Sequence, residues 1–242
     1  MSAETPTLPT SFLEPVLSLP STSVRLRWYT CVLVALSSLN YPDVIPQVYS
    51  HLDAHLLSTL SHEDRFAAVR KIREGLIKST GIVGAARTGN AMRALGGCIP
   101  EELREKESLR SKELVEVARQ RGMAFWTRIY SQNRAFDPEA SVRASPDYAF
   151  IVREVLYGHI FSFDGVIDDL TTGYVIVSAL YGMDCQTQLQ NHMKGMLING
   201  ATRQDLEGLR ELYLGLANIL GVKSRHPLAP IPTMPGEEEL SK

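Results

Sequence analysis

Cys185 and His192 stand seven residues apart, two turns of an α-helix, with Gln188 one turn from the thiol. On a helical backbone this spacing sets a thiol and an imidazole near one face, where the imidazole can take a proton from the thiol or from a substrate held beside it. The plainer alternative is a small buried cysteine and a hydrogen-bonded core histidine. His159, in Tyr157-Gly158-His159, offers a second imidazole that can act as acid or base, or pair with a carboxylated substrate. His51 and His55 have the i, i+4 spacing of zinc-binding helices, but no Glu follows the first histidine and no third ligand is in view, so no metal site is expected. Gly81, Gly84 and Gly89 follow no strand and lead into no Gly-Lys-Ser/Thr, which sets nucleotides aside. No cofactor is expected.

These residues must be positioned by helices. Nearly every long segment carries apolar residues at helical intervals, and no pair of strands is joined by a short Asn-Gly or Asp-Gly turn, so the fold class is all-α. The clearest helix begins at Thr202, with Asp205 three residues on, carries Leu206, Leu209, Tyr213, Leu216 and Leu220, and stops at Gly221. A second opens at Ser61-His62-Glu63-Asp64 and ends near Gly81. Further helices are predicted near 24–39, 43–58, 85–95, 110–131, 147–162, 171–183 and 185–198. Asp168 and Asp169 are expected to cap the 171–183 helix.

The segments repeat. Val32 to Leu36, a Pro-interrupted turn and Gln47 to His51 echo Val175 to Leu180, a short turn and Gln188 to His192. Ile72-Arg73-Glu74 and Ile82-Val83-Gly84 echo Leu209-Arg210-Glu211 and Ile219-Leu220-Gly221. The ordered landmarks predict two degenerate repeats around one core, at 24–100 and 113–222, with a flexible tail over 1–23, a charged connector over 101–112 and a tail over 223–242.

Composition bounds the rest. The 242 residues are 44% hydrophobic and 21% charged, enough apolar matter for a sizeable core. With 25 Lys and Arg against 27 Asp and Glu, a formal charge of −2 provides no field for nucleic acid or an anionic membrane. The apolar run Cys31 to Leu36 is far shorter than a membrane span needs. Cys31, Cys98 and Cys185 form neither a disulfide framework nor a four-thiolate zinc site. The first residues lack both a secretory pattern and the Arg-rich character of a mitochondrial presequence, and the end Leu240-Ser241-Lys242 is not the peroxisomal Ser-Lys-Leu. The expected compartment is the cytoplasm, with the mitochondrion less favoured.

Tyr157-Gly158-His159-Ile160-Phe161-Ser162, then Leu170 through Leu180, then Gln188 through the Asn199-Gly200-Ala201-Thr202 cap, closing on Leu216 to Gly221, resembles the carboxymuconolactone decarboxylase family and the alkylhydroperoxidase D-like proteins that share its fold. The duplicated layout is similar to a branch common in fungi. The resemblance implies an alkylhydroperoxidase D-like helical bundle and a cofactor-independent enzyme acting on a small carboxylated or lactone metabolite, as in a biosynthetic tailoring step. His159 and the helix ends would hold the carboxylate, Tyr157 and Gln188 would bind substrate, and His192 would protonate the carbanion or enol left by decarboxylation, or serve an isomerisation. Redox members of the family carry Cys-x-x-Cys-x-x-x-His and a Glu at the start of the preceding helix. Here Gln188 replaces the second cysteine and Thr172 or Gly173 the Glu, so disulfide cycling within that helix is impossible. A thiol-dependent peroxidase using Cys185 with His192, and a non-catalytic assembly module, stay open as alternatives. Homodimer or homotrimer assembly is also implied.

Overall fold

The computed structural model describes residues 5–131, 133 and 136–233, and no strand occurs among them. In order come α1 (Thr10–Leu17), α2 (Thr22–Leu39), α3 (Ile45–His55), α4 (His62–Cys98), α5 (Val115–Tyr130), the short α6 (Ala140–Ala144) and α7 (Pro146–Phe150), a π-helix (Ile151–Phe161), α8 (Asp169–Met183), α9 (Gln186–Ile198) and α10 (Arg203–Ile219). The all-α class is what the structure shows.

Local chemistry sets most boundaries. The Ser61 side chain accepts from the Asp64 amide at α4, Asp168 accepts from the Thr171 amide at 2.7 Å at α8, and Thr202 and Asp205 cap each other reciprocally at α10. Asn40 and Asp184 close α2 and α8 in the left-handed region, at φ 65° and 56°, where their short polar side chains are better tolerated than most. In both halves an apolar helix with this closure is followed by a histidine-bearing helix and a capped amphipathic one.

α2 and α8 cross at the centre and are buried on nearly every side in their C-terminal halves, which is why their apolar residues run continuously instead of forming a stripe. The Ser38 hydroxyl donates to the Ala179 carbonyl at 2.6 Å across that contact. One core gathers α1 to α4 and borrows Val175 and Ala179 of α8; the other gathers α5, the π-helix, α8, α9 and α10 and borrows Cys31 of α2.

Four features depart from expectation. A helix, α1, forms inside the segment expected to be flexible, burying Leu13 and Val16, while the Gln47 amide pins the chain ahead of it through the Leu8 amide and the Pro6 carbonyl. The helix expected to end near Gly81 and the one expected near 85–95 are broken from each other at Gly84, whose φ of 81° only glycine adopts freely, but they run end to end with no intervening loop and the second extends to Cys98. Residues 151–161 coil as a π-helix, with the Ser162 amide bonded to the Tyr157 carbonyl five residues back. Residues after α10 fold back on α9: the Arg225 and Ala229 amides donate to Asp184 and Gln186 at 2.7 Å. Residues 1–4 and the C-terminal Leu240-Ser241-Lys242, read for targeting signals, lie outside the described ones.

α5 packs closely on the π-helix because both present glycine at the crossing. A Cβ added to Gly122 would sit 2.6 Å from backbone atoms of Gly158. Gly122→Ala should therefore lower stability by about 1–3 kcal/mol, the range for forcing atoms into a packed contact, measured as a fall in the urea midpoint; Gly89→Ala, which meets only the end of the Arg93 side chain, should not.

Candidate functional site

The last turn of a helix leaves carbonyls without donors, and at the π-helix three of them are met by cations from three elements. Arg121 of α5 donates to the Gly158 carbonyl at 3.3 Å, Arg110 of the connector to the His159 carbonyl at 3.0 Å, and Lys78 of α4 to the Phe161 carbonyl at 2.7 Å. Lys78 is fully buried and also donates to the Thr172 hydroxyl at 2.6 Å, and that hydroxyl donates to the Asp168 carbonyl. Burial pulls the Lys78 ammonium down to about 8, against the opposing pull of Glu74. Glu74, itself buried, receives a bidentate pair from Arg110 at 2.9 and 2.5 Å, and Glu113 is paired with Arg121. Both arginines lie over the Phe163 ring.

Within the second core the π-helix delivers Tyr157 to Tyr130 of α5, hydroxyl to hydroxyl at 2.9 Å, and the Tyr130 hydroxyl lies 3.2 Å from Nε2 of His192 on α9. Phe136 stacks on the Tyr130 ring with centroids 3.9 Å apart. Burial fixes the protonation of all three groups. It pushes the His192 imidazole down to about 4 and the Tyr157 phenol well above its usual value; Tyr130 is also raised by burial, offset in part by its bond from Tyr157. At neutral pH the centre is a chain of neutral hydrogen-bonded groups, and His192 carries no imidazolium proton to deliver.

Of the five residues expected to carry chemistry, the structure brings two together, His192 and Tyr157, through Tyr130. Cys185 does not share their face. It is the residue before the first turn of α9, at φ −95° and ψ 73°, so helical spacing does not apply to it, and its exposed sulfur lies 3.5 Å from the Met183 carbonyl. Gln188 is exposed, while Leu189, His192, Met193 and Met196 form the inward row of α9. His159 is half-buried beside the connector, near enough to Glu113 to help hold that carboxyl low, after the larger effect of Arg121. Five surface cavities of about 270 to 590 Å³ are lined by other residues, and one of these five, of about 520 Å³, borders Glu74 and Arg110. The His51 and His55 rings lie 4.3 Å apart, tilted by 40°, with His51 bonded to Tyr29, and among the described residues no group of three His, Cys, Asp or Glu could hold a metal ion. Sequence reasoning missed Lys78, Glu74, Arg110 and Tyr130. The available signal was Glu74 and Lys78 four residues apart, an acid–base pair one helical turn apart flanking the apolar Leu76 and Ile77.

The chain is 27% identical over 195 residues to Peroxisomal protein 2 of Schizosaccharomyces pombe, covering 81% of this chain and 87% of that protein. It is 22% identical over 251 aligned positions to Peroxisomal protein 2 of Saccharomyces cerevisiae, covering 81% and 89%. No family model matches, and no solved structure matches. These findings overturn the resemblance to the carboxymuconolactone decarboxylase family and the activities drawn from it, decarboxylation or isomerisation in biosynthetic tailoring, and give the alternatives no better support. Part of that resemblance rests on residues that mark helix boundaries in any bundle, the Asn199-Gly200-Ala201-Thr202 cap of α10 among them. The cytoplasmic expectation falls too, since both relatives are named for the peroxisome. A compartment is a receptor-read address that composition and charge do not record.

His192 should leave a mark on stability. With a folded value of about 4 against 6.5 unfolded, it is neutral in both states above pH 6.5, and as pH falls from there towards 4 only the unfolded chain takes the proton. Stability should fall over that window by on the order of 3 kcal/mol from this group. Urea midpoints should drop more steeply between pH 7 and 5 in the wild type than in His192→Gln, and a histidine NMR titration should find His192 unprotonated until pH approaches 4.

Proposed function

We propose that this chain works in the peroxisome. The observation that carries the reading is the extent of the likeness: about four-fifths of the chain aligns with nearly nine-tenths of the S. pombe protein, more than either half alone could supply. A match of that length follows the whole architecture, including both cores, and not one helical hairpin. Among the described residues no helix is long and apolar enough to cross a membrane.

Within that setting His192 and Tyr157 are positioning residues. Joined by Tyr130, they hold α5, the π-helix and α9 in one arrangement, and the neutral state of all three keeps the bonds unchanged across the physiological range. Cys185, just ahead of α9, and Gln188, on its exposed side, take no part in that centre.

A fluorescent protein fused ahead of residue 1, leaving the C-terminal end free, should give puncta coincident with a peroxisomal marker in yeast, and diffuse signal in cells unable to import peroxisomal proteins. Diffuse fluorescence in import-competent cells would contradict the proposal.

A further inference from the structure

Ten large apolar side chains stand exposed among the described residues, and nine of them fall between Leu109 and Val155. The main ones are Leu114 (72%) and Val115 (70%) at the start of α5, and Tyr148 (54%), Phe150 (59%), Ile151 (48%) and Val155 (38%) on α7 and the π-helix. α5 and the π-helix are packed on each other and tied by Arg119 and Glu154 at 2.8 Å, and α7 runs directly into the π-helix, so these side chains lie on three adjoining elements, Leu114 and Val115 at the start of α5 and the others on α7 and the first half of the π-helix. Ile151 and Val155 are successive members of a row along the π-helix that continues to the half-buried His159. Single exposed apolar side chains are ordinary; a concentration of them on adjoining elements, with the rest of the surface nearly free of them, is not.

The size and charge of this face choose its occupant. Taking the exposed fractions of whole side chains, the six residues present on the order of 600 Å² of accessible surface, close to the ~800 Å² per partner that a stable protein interface takes once its polar rim is added. The rim carries both signs already neutralised within the chain: Arg119 with Glu116 and Glu154, and Arg153 with Glu139. A mixed, balanced rim can meet its own copy across a two-fold axis without setting like charges opposite each other, whereas an anionic lipid surface selects a basic one.

We propose that a second copy of this chain covers the face made by α5, α7 and the π-helix, giving a two-fold dimer. The apolar residues form the centre of the contact, and His159 comes to lie within it.

Sedimentation velocity on the full chain at micromolar concentrations tests this, with Val115→Glu and Ile151→Glu made separately. Both positions are exposed, and circular dichroism and urea midpoints like those of the wild type will show that the variants fold. The wild type should sediment as a dimer and each variant as a monomer, with at least a tenfold rise in the dimer dissociation constant. A monomeric wild type at 50–100 µM (about the range expected to populate even a weak interface) would overturn the proposal, as would variants that stay dimeric. Binding of a monomeric wild type to vesicles of neutral and anionic phospholipid, abolished by the same substitutions, would also overturn it and give the face to a membrane.

Discussion

The carbonyl end of the π-helix is the constraint from which the rest of the second half follows. Gly158, His159 and Phe161 turn their oxygens toward Arg121, Arg110 and Lys78, which come from α5, the connector and α4. A helix end in an apolar interior needs donors, and charged donors at a C-terminus also complement its dipole. Two of the three cations bring their own carboxylates, Glu113 and Glu74, so the charges are balanced where they are buried. Because Lys78 and Glu74 belong to the first half and the π-helix to the second, this junction joins the halves with directional bonds, where the α2–α8 contact joins them mainly by apolar burial.

What the clamp fixes is Tyr157. Tight packing through Gly122 and Gly158 lets the π-helix lie close on α5, and the tyrosine then reaches Tyr130 and, through it, His192. The low dielectric that strengthens these bonds also removes charge from the groups that make them, pushing His192 down and Tyr157 up. A histidine tuned for acid–base work sits near the working pH with access to a substrate. Burial has moved His192 well below the working pH, which suits a group whose task is to hold a neighbour in place.

Much of the fold was legible in the chain. Caps at Ser61, Asp168 and Thr202 and apolar spacing located the helices because both are local properties. The π-helix was read only as a helix over 147–162, since its wider turn depends on contacts with α4, α5 and the connector that no local pattern records. α1 was hidden by prolines and hydroxyl residues that read as tail, and it gains its place from Leu13 and Val16 packing on the first core. For the site, His192 and Tyr157 stood out by residue type, but Tyr130 was one aromatic among many, Arg110 fell within the charged connector, and Lys78 carried no local signal beyond its spacing from Glu74. Cys185 was misplaced because spacing was counted along a helix that starts one residue after it. Resemblance misled in the same way: helix-boundary residues recur in many bundles, and chemistry was inferred from residues that do structural work.

The cationic clamp of Arg121, Arg110 and Lys78 holds the end of the π-helix in place. Hydrogen exchange at the amides of residues 157–162, compared between the wild type and Lys78→Met, tests it directly, with the amides of α10 as an internal reference. Loss of the Phe161 and Thr172 bonds should raise exchange at the π-helix end by at least about tenfold, the equivalent of one bond worth about 1.4 kcal/mol, while α10 stays protected. Unchanged protection at 157–162 would show that packing alone holds the helix end and would contradict the account.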